Sequence, residues 1–289
     1  MFLRGIVALI IAIIIILILW PVPAQKTHVY FNDAPHDRLE VIAHGGGLGL
    51  RPANTLPALD AAIAMGADVL EVDVQRTADG VLVLLHDDTL DRTTDLTGPI
   101  AQMSWAQVAK ADAGANRLIN NTDFSNQGIG VPRFKDALMR FPDKRWIAEI
   151  KPNTEEAAIA MCQTIIAAGM SKKVLVGSFH KKALTAFRAA CPDVATSMHS
   201  GEVARFAIAA YFGVSRFINT PAIAMQVPMK SSGIRLAHPR VINAAKAQGV
   251  RVHFWTINDT EEMSELITLG ADGIITDYPP KLVSVLSVQ

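Results

Sequence analysis

Short apolar segments alternate with segments of helical periodicity from residue 134 to residue 276, and this alternation constrains the fold more than any other feature of the chain. Strands that alternate with helices form parallel sheets, because each helix returns the chain to the edge where the next strand begins. We therefore predict a TIM (β/α)₈ barrel over residues 40–289, with an inserted cap segment at about residues 88–132. An open doubly wound sheet is the alternative, but no G-x-G-x-x-G turn follows a predicted strand.

Nine candidate strands can be counted, which is one more than the barrel requires. Besides the two arms of a hairpin at residues 71–87, they are Glu40–His44, Arg145–Ile150, Lys173–Ser178, Val194–Met198, Arg216–Asn219, Val250–Thr256 and Gly273–Thr276. Either one arm of the hairpin lies outside the closed ring, or the segment Arg216–Asn219 is irregular. After the first strand, Asn54 is predicted to cap the helix that begins at Thr55.

The hairpin at residues 71–87 reads EVDVQRTADGVLVLLHD. Asp79 and Gly80 favour the positive φ angles of a two-residue turn, and such a turn would place Asp73 opposite His86. A parallel return would need a crossover of about a dozen residues, and this connection is too short for one. We therefore expect a hairpin that brings carboxylates and an imidazole together.

Glu71 and Asp73 are two positions apart on the predicted strand, so both side chains point to the same face. Carboxylates in such proximity repel each other, and a divalent cation is the simplest way to keep both ionised at neutral pH. Hard oxygen ligands favour Mg²⁺ or Ca²⁺. The alternative is that both are ordinary solvent-facing strand residues.

Further polar side chains fall at the ends of other predicted strands, where barrel enzymes place their chemistry. His44 ends the first strand, Glu149 and Lys151 end the strand near residue 150, and Trp255 falls at the end of a later one. Two histidines together with three carboxylates favour a catalytic site over structural residues.

An uninterrupted apolar run, Gly5–Trp20, precedes the predicted domain. Its length is near the lower limit for crossing a bilayer, so residues 1–24 form either a membrane anchor or a signal sequence, and the long isoleucine run favours the anchor. A polar linker is expected at residues 25–39. Because Arg4 is the only charged side chain ahead of the run, we expect a single-pass protein with its catalytic domain on the outer side, periplasmic or extracellular.

Composition bounds the partners and the redox chemistry. The chain has 27 basic and 27 acidic residues and a formal net charge of zero, which gives no reason to expect a nucleic-acid partner. Its two cysteines, Cys162 and Cys191, fall in predicted helices without metal-ligand spacing. We expect buried free thiols rather than a disulfide.

Short motifs follow one another along the predicted domain in a specific order. They are His44-Gly45-Gly46, Pro52-Ala53-Asn54-Thr55, Glu71-Val72-Asp73, Asp79-Gly80, His86-Asp87, Arg92-Thr93-Thr94, Glu149-Ile150-Lys151, Phe254-Trp255-Thr256-Ile257-Asn258 and Gly270-Ala271-Asp272-Gly273-Ile274-Ile275-Thr276-Asp277. Each motif alone is a weak signal, but in this order and spacing the chain resembles the glycerophosphodiester phosphodiesterases from about Val41 to Pro280.

The resemblance implies a barrel hydrolase that cleaves glycerophosphodiesters into glycerol 3-phosphate and an alcohol. It implies that Glu71, Asp73 and Glu149 bind a divalent cation, Mg²⁺ or Ca²⁺, and that His44 and His86 are the acid and base pair. In the family's usual account, the substrate's own glycerol hydroxyl attacks phosphorus, and water then opens the cyclic phosphate.

Three residues are candidates for substrate contact. Lys151 could bind the phosphate or pair with a neighbouring carboxylate, and Trp255 could line the glycerol pocket or pack in the core. The family usually has an arginine where this chain has Gly45 and a glutamate where it has Ala53. We hypothesise that Arg51 supplies the missing phosphate contact, so that Arg51→Lys slows turnover about tenfold or more, and the alternative is a solvated loop arginine.

Two other functions are compatible with these residues. The same site could release the headgroup of lysophospholipids in a lysophospholipase D-type reaction, and a membrane anchor would bring the enzyme close to such lipids. A catalytically impaired membrane-bound scaffold would account for Gly45 and Ala53, although the retained histidines and carboxylates argue against it. An isomerase or aldolase on the same fold lacks an evident Schiff-base lysine.

Overall fold

The computed structural model describes residues 27–115 and 118–288 and contains a barrel of eight parallel strands surrounded by helices. In chain order, β1 to β8 are Glu40–Ala43, Val69–Arg76, Arg145–Ile150, Val174–Gly177, Ala195–Thr196, Ala224–Val227, Arg251–Phe254 and Gly273–Thr276. Neighbours in the barrel are neighbours in sequence, and β1 pairs in parallel with β8. A bridge between Ser197 and Ala224 joins the β5 end to β6. The (β/α)₈ prediction is confirmed.

Nine helices accompany these strands in the described part of the chain. In order, α1 to α9 are Leu56–Ala64, Trp105–Val108, Phe134–Arg140, Glu155–Ala167, Lys181–Ala190, Ser200–Tyr211, Pro239–Ala247, Thr260–Leu269 and Pro279–Ser287. All except α2, which lies in the inserted segment, return the chain from the end of one strand toward the start of the next or follow the last strand. We call the end where the strands begin the base and the opposite end the mouth.

Apolar side chains fill the barrel interior and the layer between the strands and the helices. The interior contains Ile42, Ile147, Leu175 and Ile275, each at most 4 % exposed. Burial of each such side chain stabilises the fold by about 2 kcal/mol, so the barrel is a packed core and not a pore.

Two of the nine candidate strands are not part of the ring, and one barrel strand was not predicted, which leaves eight. The second hairpin arm, Leu82–Leu84, pairs with β2 and, through one bridge, with Arg133, and it lies outside the ring. The segment predicted at Arg216–Asn219 contains a 3₁₀ helix at Ser215–Phe217, and the barrel strand is β6, Ala224–Val227. The sequence AMQV escaped prediction because it has one β-branched residue and a polar residue in its middle.

The hairpin forms, but its register differs by one residue from the prediction. Val74 pairs with Leu84, so that the amide of Leu85 donates to the carbonyl of Asp73, and His86 lies one position further on. The turn has three central residues, 78–80, because the hydroxyl of Thr77 accepts a hydrogen bond from the Val81 amide at 2.9 Å. Gly80, at φ 89°, takes the left-handed position of this longer turn.

The inserted segment at residues 88–132 has a small core of its own. Leu90, Ile100, Val108 and Val131 are buried together with hairpin side chains. The segment also contains a two-stranded ribbon, Leu118–Ile119 with Thr122–Asp123, and Asn120 donates to the carbonyl of Gly49 in the loop after β1. The insertion therefore packs on the hairpin and reaches the loops at the mouth.

The base is closed by the residues that precede β1. Val29–Phe31 form a 3₁₀ helix within the predicted linker, and Tyr30 is buried. The buried carboxylate of Glu40 accepts hydrogen bonds from Arg145 at 3.0 Å and Arg251 at 3.2 Å. Loss of one partner would leave a buried charge unpaired, which is strongly destabilising.

The predicted membrane anchor, residues 1–24, lies outside the described residues. Within ranges 27–115 and 118–288, every helix is too short or too polar to cross a bilayer.

Cys162 and Cys191 form a disulfide, and the expectation of free thiols is wrong. Cys162 lies in α4 and Cys191 directly follows α5, and these helices pack side by side on the barrel. The Cα atoms are 5.7 Å apart, within the range that a disulfide spans. Sequence spacing could not reveal this pairing, because it depends on the packing of two neighbouring helices.

The disulfide generates a stability prediction. Replacing both cysteines, Cys162→Ser with Cys191→Ser, should lower the free energy of unfolding by about 3 kcal/mol, because the unfolded chain regains the entropy of a loop with a sequence separation of 29 residues. Urea denaturation followed by circular dichroism measures the difference. A reducing agent should lower the stability of the native chain to that of the double variant and leave the variant unchanged. Equal stability of the oxidised native chain and the variant would contradict the prediction.

Candidate active site

Three carboxylates meet at the mouth end of β2 and β3. Glu71 and Asp73 project from the same face of β2, and parallel pairing places Glu149 of β3 in register with Asp73. One ligand oxygen from each of the three lies within 4.8 Å of the others. Glu71 and Asp73 are buried, and Glu149 is partly buried. The solvent-facing alternative for the first pair is therefore wrong.

Lys151 places its ammonium group among these carboxylates. Its Nζ lies 2.8 Å from Oδ1 of Asp73 and 3.1 Å from Oε2 of Glu149. Of the two alternatives for Lys151, the structure shows the one in which it pairs with neighbouring carboxylates. A single ammonium group cannot balance the charge of three carboxylates.

The pKa values of the three carboxyl groups reflect this imbalance. Burial, together with the charge of Asp73, raises the pKa of Glu71. Burial also raises the pKa of Glu149 against the effect of Lys151. For Asp73, burial acts upward, but the charge and hydrogen bond of Lys151 outweigh it and lower the pKa overall. The buried set of hard oxygen donors fits a divalent cation such as Mg²⁺ or Ca²⁺, which would relieve the remaining repulsion.

The loop after β1 holds two of these carboxylates by hydrogen bonds. The amide of Gly45 donates to Oε2 of Glu71 at 2.9 Å. The side-chain amide of Asn54 donates to Oδ2 of Asp73 at 2.9 Å and accepts a hydrogen bond from the Asp73 amide at 3.0 Å. The predicted capping role of Asn54 is wrong, since Thr55 caps α1 and Asn54, at φ 59°, points to the carboxylate.

His44 follows β1 and is held from behind by a carboxylate. Its Nδ1 lies 2.7 Å from Oδ1 of Asp277, and Oδ2 of Asp277 accepts a hydrogen bond from Asn258 at 2.7 Å. Burial lowers the pKa of His44, but the hydrogen bond with Asp277 and the charges of Glu71 and Asp73 raise it to about 9. Asp277 and Asn258 belong to two of the sequence motifs, but their contact with each other depends on the tertiary structure.

His86 follows the second hairpin arm and also has a carboxylate partner. Its Nδ1 lies 2.7 Å from Oδ1 of Asp87. Arg92 donates from Nε to Oδ2 of Asp87 at 2.6 Å and from Nη2 to Oδ1 at 2.7 Å. The hydrogen bonds of Arg92, with that of His86, lower the pKa of Asp87 to about 2. The His86 side chain is 51 % exposed, so it is the more accessible of the two imidazoles.

One cavity of about 210 Å³ brings these groups together. Both histidines, the three carboxylates and Lys151 line it. Trp255 lines it as well and meets the ring of Phe179 edge to face, with 5.7 Å between centroids. Ser178 and Phe179, which directly follow β4, and Gln226 of β6 were not predicted, although the position of Ser178 and Phe179 after a barrel strand is a usable signal.

Arg51 is placed away from this cavity. Its guanidinium donates to the carbonyl of Leu50 at 2.9 Å and lies over the ring of Phe124 in the inserted segment, 5.6 Å from the ring centre. The structure therefore does not bring Arg51 into the cavity, and its guanidinium joins the loop to the insertion. The favourable cation–π geometry gives the side chain a structural role.

A (β/α)₈ barrel with an acidic cluster and two histidine–carboxylate pairs at its mouth has the groups that an acid–base enzyme uses. The model of the glycerophosphoryl diester phosphodiesterase family matches residues 44–281. The chain therefore belongs to this family of phosphoric diester hydrolases.

Individual relatives agree in sequence and in structure. A glycerophosphodiester phosphodiesterase of Caldanaerobacter subterraneus is 29 % identical over 258 residues, which cover 85 % of this chain and 97 % of the relative. The crystal structure of a glycerophosphodiester phosphodiesterase from Agrobacterium tumefaciens is 25 % identical, with a TM-score of 0.68 over 85 % of this chain and 99 % of that one. An Oleispira antarctica phosphodiesterase, solved with the product sn-glycerol-3-phosphate, is 25 % identical, with a TM-score of 0.72 over 90 % of this chain and 100 % of its own.

The position of Arg51 reverses the expectation for its substitution. Arg51→Lys should leave turnover within about twofold of the native value, because the hydrogen bond of Arg51 to Leu50 and its contact with Phe124 both lie outside the cavity lining. Arg92→Lys is the matched comparison and should slow turnover about tenfold. Lysine cannot reproduce the two parallel hydrogen bonds that Arg92 donates to Asp87. Steady-state kinetics of both variants on one diester measure the difference. A tenfold or larger loss in Arg51→Lys would restore the phosphate-contact hypothesis.

Proposed function

We propose that this chain hydrolyses glycerophosphodiesters to glycerol 3-phosphate and an alcohol. The observation that carries the proposal is the single cavity in which two histidines accompany three clustered carboxylates. Membership of the family supports it, as does the relative solved with sn-glycerol-3-phosphate. The cavity suits a small polar substrate in volume and lining.

Glu71, Asp73 and Glu149 would hold a divalent cation, Mg²⁺ or Ca²⁺, as the cofactor. The clustered, desolvated oxygens fit such an ion, and Lys151 balances only part of their charge. A bound cation would neutralise the phosphodiester and the charge that grows on its oxygens during the reaction.

His44 and His86 would act as the acid and base pair. Each has its Nδ1 occupied by an aspartate, which leaves Nε2 as the atom that exchanges a proton with the substrate. One imidazole would take the proton of the attacking hydroxyl, which the family's account assigns to the substrate's own glycerol, and the other would protonate the leaving alkoxide. Water would then open the cyclic phosphate.

The remaining predicted contacts fit a glycerol pocket. Trp255 and Phe179 form an aromatic wall of the cavity that would pack against carbon atoms of the substrate. Lys151 could move from the carboxylates to the phosphate once a cation takes its place, because both positions offer negative oxygen atoms.

The apolar run Gly5–Trp20 supports a further part of the proposal, that the protein is a single-pass membrane protein with its barrel on the outer side. A membrane location brings lysophospholipids into consideration as alternative substrates of the same site. A catalytically impaired scaffold is the remaining alternative, and activity assays distinguish it from an enzyme.

The proposed cation generates the first test. The purified full chain in detergent solution, incubated with glycerophosphocholine, should release glycerol 3-phosphate with Mg²⁺ or Ca²⁺ and lose about 99 % or more of its rate in EDTA. Glu149→Gln should need a higher metal concentration for half-maximal rate, since it removes one charged ligand. Glu262→Gln, an exposed glutamate in the first turn of α8, is the control and should behave as the native chain. If neither Mg²⁺ nor Ca²⁺ supports hydrolysis, the result would favour the catalytically impaired scaffold.

Asp277 is proposed as a positioning residue for His44. Asp277→Asn should lower kcat by about 100-fold, with a smaller change in KM. An asparagine has one uncharged acceptor oxygen, so it cannot accept hydrogen bonds from both His44 and Asn258 as the carboxylate does. Asp259→Asn, at the exposed cap of α8, is the matched control and should leave kcat unchanged. Steady-state kinetics with thermal melts of each variant separate catalysis from folding. An Asp277→Asn enzyme of native kcat would refute the role.

A further inference from the structure

Large apolar side chains are exposed mainly at the base of the barrel. Of the eleven exposed ones among the described residues, six lie at this end: Val29, Met139, Ile166, Phe212, Val214 and Val288. Five of these six lie at or beyond the carboxyl ends of α3, α4, α6 and α9, which run from the mouth toward the base. By contrast, only Leu118 and Phe179 belong to segments at the mouth. The other three, Ile159, Ile208 and Val283, lie on helices of the outer wall.

The chain also enters the domain at the base. Thr27, the first described residue, lines a surface pocket together with Lys246 and Gly249 at the end of α7. Phe31 lies beneath the guanidinium of Arg251 at the start of β7, 4.4 Å from the ring centre. The apolar run Gly5–Trp20 is therefore connected to the base and not to the mouth.

The connection between this run and the base is short. Only residues 21–26 separate Trp20 from Thr27. A fully extended chain advances at most about 3.6 Å per residue, so this connection spans at most about 25 Å. The strand β2 alone extends roughly 25 Å, and the loops and the insertion at the mouth add to that height. If the run is held in a bilayer, a barrel that stands on the membrane can rest on its base but not on its mouth.

We propose that the base of the barrel lies on the membrane surface and that the active site opens away from it. The occupant of this surface is a phospholipid bilayer, into whose interfacial region exposed side chains such as Phe212, 79 % exposed, insert. This inference rests on the proposed hydrolase function and on the proposed anchor. It deepens them by naming the substrate class: water-soluble glycerophosphodiesters taken from solution, in preference to lysophospholipids held in the enzyme's own membrane.

The orientation is tested with the full chain reconstituted in phosphatidylcholine vesicles. Because the two native cysteines are joined, Phe212→Cys and Leu118→Cys each offer a free thiol for a fluorophore, one at the base and one at the mouth. Nitroxide lipids should reduce the fluorescence of the probe at position 212 at least about three times as strongly as that of the probe at position 118, because quenching falls off outside the interface. Val288→Cys, 82 % exposed, repeats the measurement at a second base position should Phe212→Cys misfold. Equal quenching at base and mouth, or stronger quenching at position 118, overturns the orientation.

The substrate consequence is tested in the same vesicles. Glycerophosphocholine in solution should be hydrolysed at least about ten times faster than an equal amount of lysophosphatidylcholine in the bilayer. Faster cleavage of the lysolipid overturns the inference. Two controls separate its failure from that of its premises. A chain that does not float with vesicles refutes the anchor and the orientation with it, whereas absence of glycerophosphocholine hydrolysis in detergent refutes the proposed function.

Discussion

The in-register pairing of β2 with β3 is the constraint on which the site depends. It sets Asp73 beside Glu149, while the two-residue period of β2 adds Glu71 on the same face. Carboxylates in a desolvated cleft repel strongly, so the fold has to supply compensating groups. Lys151 supplies one positive charge, and the amides of Gly45 and Asn54 supply hydrogen bonds. The charge that remains makes the cluster a candidate site for a cation.

The two histidines have similar partners but different electrostatic surroundings. Asp277 behind His44 is held by the neutral amide of Asn258, so its negative charge acts fully on the imidazole. Asp87 behind His86 also accepts two hydrogen bonds from the positively charged Arg92. The two histidine–carboxylate pairs therefore differ in the charge that surrounds them.

The two ends of the barrel divide stability from chemistry. At the base, Tyr30 and the buried ion pairs of Glu40 close the ring beneath the interior core, and the described amino-terminal segment packs there. At the mouth, loops and the insertion are joined by contacts such as Asn120 to Gly49 and Arg51 over Phe124. Arg51 illustrates the division, since a residue expected to bind phosphate instead joins a loop to the insertion.

The sequence by itself determined the barrel, the pairing of Glu71 with Asp73 on one strand face, and the candidacy of both histidines, because strand and helix periods and strand-end positions are local properties. It did not determine the β6 strand, whose strand propensity is weak, or the hairpin register, which depends on a hydroxyl of Thr77. It also did not determine the contact of Asn54 with Asp73, which depends on how the loop after β1 packs against β2. The Cys162–Cys191 disulfide and the place of Arg51 were decided by tertiary structure alone, since each requires two segments distant in sequence to pack together.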